Sequence, residues 1–162
     1  MKVIFLDFNG VLDTNEEMDV INIDNLYRLK RIVDETGSVV VISSSLKDYY
    51  YYTGKYSKML EYLISTLESV GINVIGLTPK LLTREEEINS YLMSHLDIDS
   101  YVILDDDYEM ESLSDHLVKL DNQIIPGQVG LEDKHVDKAI SILNKTKSLN
   151  LKKFGIIYIK NI

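Results

Sequence analysis

Two short apolar runs in this chain end on acid. Val3 to Leu6 reads as a buried strand that stops at Asp7, and Tyr101 to Leu104 reads as another that stops at Asp105-Asp106-Asp107. A carboxylate at the carboxyl end of a parallel strand sits where open α/β sheets keep their ligands, and it can act as nucleophile, metal ligand or both. Taken singly, each is as well explained by an Asp in a turn or a solvated acidic triplet. Taken together they place three oxygen-bearing groups on one sheet edge, which is the donor type that Mg²⁺ selects. Asn9-Gly10 adds turn chemistry directly after Asp7.

The elements that must hold these residues follow from periodicity. Asp24 is expected to cap a helix carrying Ile23, Leu26, Leu29 and Val33, which Gly37 ends. Ser38 to Ile42 is a continuous apolar strand that runs into Ser43-Ser44-Ser45. After a tyrosine-rich stretch, Asp48 to Tyr56, a helix starting at Ser57 bears Met59, Leu60, Leu63, Ile64, Leu67 and Val70. Asn73 to Gly76 is a third strand, followed by a loop with Pro79 and Lys80. Thr83 and Glu86 have capping-box spacing and open a helix with Ile88, Leu92 and Leu96. A short helical stretch from Glu109 precedes a fifth strand at Leu117 to Leu120. A loop from Gln123 to Leu131 leads to a last helix marked by Val136, Ala139, Ile140 and Leu143, and Phe154 to Ile159 reads as an edge strand or packed extension. Strands alternating with helices predict a three-layer αβα sandwich around a mainly parallel, five-stranded Rossmann-like sheet. Its edge would gather Asp7, Asn9, Ser43, Asp105 and Asp106, with Arg84 or Lys80 as the nearby cation. A hydroxyl, a cation and free backbone N–H groups, such as that of Gly10, suit a phosphoryl group.

Composition narrows the function classes. The 162 residues read as one domain spanning 1–162, with 45% hydrophobic and 27% charged residues. A formal net charge of −9 argues against a broad nucleic-acid surface while allowing a local basic pocket. Without cysteine, thiolate chemistry and Cys-based zinc sites are excluded. His95, His116 and His135 share no ligand spacing and read as surface or helix-end residues. No run approaches a bilayer span and no leader is visible, so a soluble cytoplasmic protein is expected.

The opening F-L-D-F-N-G-V-L, the V-V-I-S-S and the V-I-L-D-D resemble the motifs of the haloacid dehalogenase (HAD) superfamily of aspartate-nucleophile phosphotransferases. I-S-S-S-L-K, G-L-T-P followed by R-E-E-E-I-N-S-Y-L, Y-V-I-L-D-D-D and the late G-L-E resemble, more narrowly, the HAD domains of Swiss Army Knife RNA repair proteins. The resemblance spans Val3 to Leu143. It implies a Mg²⁺-dependent phosphatase or phosphotransferase in which Asp7 attacks phosphorus and forms an aspartyl-phosphate. Ser43, or Ser44 if the register shifts by one, would hydrogen-bond the phosphoryl group. Arg84 or Lys80 would neutralise its charge. Asp105 would bind Mg²⁺ directly and Asp106 directly or through water, with the Asn9 carbonyl as a further ligand.

Asn9 departs from the hydrolytic pattern. Hydrolytic relatives place a second Asp two residues beyond the nucleophile as acid and base, and an amide cannot do that work. The expected outcome is slow turnover, a long-lived aspartyl-phosphate or a substrate with a good leaving group. Asp13 is the one conceivable stand-in, although Asp13 to Asp19 reads as a solvated loop. The chain lacks the large insertions in which HAD caps reside, so the resemblance implies an open site and a large phosphorylated substrate, such as a nucleic-acid end or a phosphoprotein. Two competing functions remain: a catalytically weak phosphate-binding or regulatory protein, and a metal-dependent nuclease without a covalent intermediate. The tyrosine run reads as a packed loop or dimer contact, with base stacking as the alternative.

Overall fold

A computed structural model describes residues 1–14, 19–106, 110–120 and 129–145. Five strands form one sheet: β1 (Lys2–Leu6), β2 (Val39–Ile42), β3 (Val74–Leu77), β4 (Ser100–Asp105) and β5 (Leu117–Lys119). Their order is β3-β2-β1-β4-β5 and every pairing is parallel. The helices are α1 (Ile23–Thr36), α2 (Asp48–Thr53), α3 (Lys58–Ser69), α4 (Arg84–Ser94) and α5 (Asp133–Asn144), with 3₁₀ turns at Ser45–Lys47 and Glu111–His116.

Strand residues alternate between two cores, as the pleat requires. Ile4, Leu6, Val40, Ile42, Val102 and Leu104 face α1, α3 and α5, whereas Val3, Phe5, Val41 and Ile103 face α4 and the second 3₁₀ turn. The sheet is therefore covered on both faces, which is why its strands read as unbroken apolar runs. This is the expected three-layer α/β sandwich with a Rossmann-like sheet.

Several local expectations are corrected. Asn22, not Asp24, caps α1: its side chain accepts from the N–H groups of Asp24 and Asn25, and Asp24 falls in the first turn. Ile23 is consequently exposed, and the inner face of α1 is Leu26, Leu29 and Ile32. Strand β3 lies one residue later than expected. Leu120 is buried just beyond β5, and its N–H bonds the Asp105 carbonyl. Leu96 lies past the end of α4 and is exposed, because Glu87, Ile88 and Tyr91 form that helix's inner face. The tyrosine stretch is not a loop; it forms α2, none of whose residues is buried. Asp13 is buried rather than solvated. All three histidines do sit at helix ends. Glu109, most of the Gln123–Leu131 loop and the Phe154–Ile159 segment lie outside the described residues.

The loop after β1 is fastened from the far side of the sequence. Gly130 adopts φ +70°, and a Cβ there would lie 2.7 Å from the carbonyl oxygens of both Asp13 and Val11. Leu131 N–H bonds the Val11 carbonyl, while Asn25 Nδ2 donates to the Val129 carbonyl at 2.7 Å. Gly54 has the same backbone conformation with open space around it. Gly130→Ala should therefore cost about 2–5 kcal/mol, from left-handed backbone strain plus overpacking, whereas Gly54→Ala should cost about 1–2 kcal/mol from strain alone. Urea unfolding of the two variants measures the difference.

Candidate active site

The chain leaves β1 in one direction to build β2 and β3, then returns to the other side of β1 to build β4. The β1/β4 boundary is thus the switch point at which two adjacent strand ends diverge, the usual ligand position in such sheets. Asp7 and Asp105 stand there. Asp7 N–H bonds the Leu104 carbonyl at 3.0 Å, and Ser43 N–H bonds the Leu6 carbonyl at 2.9 Å. The ladder therefore continues one residue past β1 and fixes Asp7 beside its neighbours.

Asp7 and Asp105 are buried and Asp106 is half-buried, and one carboxylate oxygen from each lies within 4.8 Å of the others. Three hard oxygen donors at that spacing fit a divalent cation of the Mg²⁺ or Ca²⁺ type. Arg84 closes the group. Its Nη1 lies 2.8 Å from Asp105 Oδ2 and 3.6 Å from Asp7 Oδ1. The capping box formed by Thr83 and Glu86 sets this position: Glu86 N–H donates to Thr83 Oγ1 at 3.2 Å and Thr83 N–H to Glu86 Oε2 at 3.1 Å. Arg84 is then the first residue of α4. A cation at a helix N-terminus is opposed by the dipole, and here the carboxylates of the site outweigh that.

Lys80 lies elsewhere. Its Nζ pairs with Asp48 Oδ2 at 2.7 Å, and that hydrogen bond raises the lysine's pKa above its ordinary value. Ser43 and Ser44 differ as well. Ser44 Oγ accepts weakly from Leu46 N–H at 3.4 Å as the cap of the 3₁₀ turn, whereas Ser43 Oγ is buried and makes no hydrogen bond among the described residues. A buried hydroxyl left without a partner costs about 1–3 kcal/mol, which a ligand oxygen would recover.

Asn9 is held by acids. Its Nδ2 donates to Asp13 Oδ2 at 2.9 Å and to Asp19 Oδ1 at 3.1 Å. Asp13 also accepts from Gly10 N–H at 2.6 Å and from Asp19 N–H at 3.2 Å, so the Gly10 donor is turned into the loop. Asp13 thus serves as the hub of the β1 loop. A carboxylate at position 9 would face two others, so the amide is the group that this loop accommodates.

Residues 3–136 match the model of a family described as the HAD domain in Swiss Army Knife RNA repair proteins. The chain belongs to that family. No curated protein and no solved structure matches it. Membership implies a phosphohydrolase, with the Asp7, Asp105 and Asp106 cluster as the group that could hold its metal. No helix among the described residues of this HAD domain is long and apolar enough to cross a membrane.

A second layer of the site, which sequence reasoning missed, is Glu87 with Lys47. Both are almost fully buried, and Lys47 Nζ lies 2.7 Å from Glu87 Oε2. Burial pushes the Lys47 pKa down, against the opposing hydrogen bond and charge of Glu87. Glu87 Oε1 accepts from Leu81 N–H at 3.2 Å, and Oε2 lies 3.7 Å from Arg84 Nε. One carboxylate therefore braces the β3–α4 loop, the turn after β2 and the site arginine. Removing one partner of such a pair strands a buried charge. Lys47→Met should cost about 3–5 kcal/mol in urea unfolding, and adding Glu87→Gln should restore most of it. A double-mutant cycle with no recovery would show that the two residues are not coupled.

Proposed function

We propose that this HAD domain is a Mg²⁺-dependent phosphomonoesterase or phosphotransferase that works through an aspartyl-phosphate on Asp7. The observation that carries the reading is the meeting of three carboxylates and the Arg84 guanidinium at the β1/β4 switch point. An Asp7 oxygen attacks phosphorus, the bond to the leaving oxygen breaks, and the carboxylate becomes an acyl-phosphate. Water then attacks the same phosphorus, releasing phosphate and restoring Asp7. Arg84, and Ser43 through its uncommitted hydroxyl, stabilise the equatorial oxygens where negative charge is spread. Asp7, Asp105 and Asp106, with the Asn9 carbonyl, would hold the Mg²⁺. When bound, the metal neutralises charge on the phosphoryl oxygens and lets an anionic substrate approach an anionic nucleophile.

Asn9 sets the rate. With its amide donated to Asp13 and Asp19, residue 9 neither protonates the leaving oxygen nor takes a proton from water. A positioned acid/base is worth about 10²–10⁴-fold, so the wild type turns over slowly and favours leaving groups that depart as anions. The same observation supports the second reading, a phosphate-binding regulatory protein in which residue 9 marks lost hydrolysis. The family description speaks for a phosphorylated RNA end as substrate, and a −9 chain can take a single terminal phosphate without a long basic track.

Phosphate release from an aryl phosphate should require Mg²⁺, stop on chelation and vanish in Asp7→Ala. Asn9→Asp should raise turnover of a poor leaving group by about 10²-fold or more, and of an aryl phosphate much less. Equal rates in wild type and Asp7→Ala would sink the phosphatase reading. Hydrolysis with no phosphate trapped on Asp7 would favour the nuclease type of mechanism.

A further inference from the structure

The tyrosine-rich helix has no place in the chemistry above, yet it stands on the same edge. Tyr51 hydroxyl donates to the Thr78 carbonyl at 2.8 Å, and Thr78 N–H bonds the Ile42 carbonyl. Thr78 follows β3, two strands from β1, so the helix is anchored about 10 Å from Asp7 along the carboxyl edge. None of its residues is buried, and Tyr49 and Tyr52 are 51% and 78% exposed. Three residues apart, these two rings share one face of the helix. Tyr50 packs edge-on against Tyr51 and Tyr56, with centroids 5.3 and 5.2 Å apart, which braces the helix from within the cluster. Thr78 Oγ1 is buried and without a hydrogen bond among the described residues, a second uncommitted hydroxyl along the line from Ser43.

Charge points the same way. In a chain of net charge −9, the surface residues of 48–58 carry Lys55 and Lys58 against Asp48 alone, since Lys47 is buried against Glu87. Lys55 and Lys58 are exposed, and Lys80 stands beside Asp48. Exposed aromatic faces with cations nearby, on the same sheet edge as a candidate phosphate site, are the makings of a single-strand surface: bases stack on the rings and the backbone meets the lysines.

We propose that α2 is a base-stacking platform, with Tyr49 and Tyr52 holding the first unpaired bases behind a terminal phosphate placed at Asp7. The occupant is a single-stranded nucleic acid, and the identity of the anchored group rests on the phosphatase reading. The two claims separate experimentally. Binding of a fluorescein-labelled hexaribonucleotide ending in a phosphate, and of its deoxy counterpart, is followed by anisotropy with Asp7→Asn protein, which does not turn over. Adding Tyr49→Ala and Tyr52→Ala should weaken binding about 5-fold or more per stacked base. Tyr49→Phe with Tyr52→Phe should retain it, since stacking needs the ring and not the hydroxyl. With native Asp7, the alanine pair should leave aryl phosphate hydrolysis unchanged. Unchanged oligonucleotide affinity in the alanine pair overturns the platform, as does a dimer that dissociates in that variant without any change in affinity. Loss of binding in the alanine pair alongside a wild type that hydrolyses nothing would support the platform and remove the phosphatase. Tighter binding of the ribose or the deoxyribose strand identifies the nucleic acid.

Discussion

Everything at the strand edge answers to the cost of bringing three carboxylates together at the ends of β1 and β4. At 4.8 Å, two unit charges repel by roughly 3–4 kcal/mol at the effective dielectric of a protein site. Arg84 relieves part of this by lying between Asp7 and Asp105. Its guanidinium must in turn be oriented, and Glu87 lies behind it; Glu87 is itself buried, so Lys47 is drawn in behind Glu87. Four carboxylates and two cations leave that set of six groups short by two positive charges. A divalent cation supplies that number, which makes metal affinity and the stability of this edge aspects of one electrostatic problem.

Asn9 belongs to a second network with its own logic. Asp13 gathers the Asn9 amide, the Gly10 N–H and the Asp19 N–H, while Gly130 passes close behind and Asn25 ties the loop to α1. Asp19 takes φ 61°, an uncommon conformation for a residue other than glycine and one that Asp tolerates better than most. In this setting the amide is a structural donor. Residue 9 stabilises this loop through both acids, so a carboxylate in place of the amide carries a loss of loop order. The amide at position 9 is thus tied to Asp13 and Asp19.

Much of this was legible in the sequence, and for identifiable reasons. Strands buried on both faces write themselves as apolar runs, and the Thr83/Glu86 spacing alone puts Arg84 at the start of α4. The strand ends then brought Asp7, Asp105 and Asp106 together, because parallel topology leaves them no other place. Glu87 was illegible. Its partner Lys47 is 40 residues away, and a third Glu in R-E-E-E looks like an ordinary acidic first turn. Its position directly before Ile88 and four residues before Tyr91 was the available signal, since that spacing puts it on the inner face. Helix α2 was illegible for the opposite reason: four consecutive tyrosines have no hydrophobic period, and a helix that buries nothing needs none. Asp13 reads as solvent-facing because it opens a polar, acid-rich stretch of sequence, and nothing in that stretch signals the donors from Asn9, Gly10 and Asp19 that bury it.

The lysines near the site divide by burial, and that division decides what each can do. Lys47 cannot leave Glu87 without stranding a charge in the interior, so it is confined to support. Lys80 and Asp48 are both partly exposed, at 36% and 27% of their side chains. A pair of that kind is worth little over its hydrated, separated groups. Lys80 can therefore leave the Asp48 carboxylate at small cost. It stands on the loop after β3, between the sheet edge and the tyrosines. Arg84 then differs from Lys80 by what holds it: the guanidinium is fixed between two buried carboxylates of the cluster, whereas the ammonium is held by one partly exposed acid and is free to be redirected.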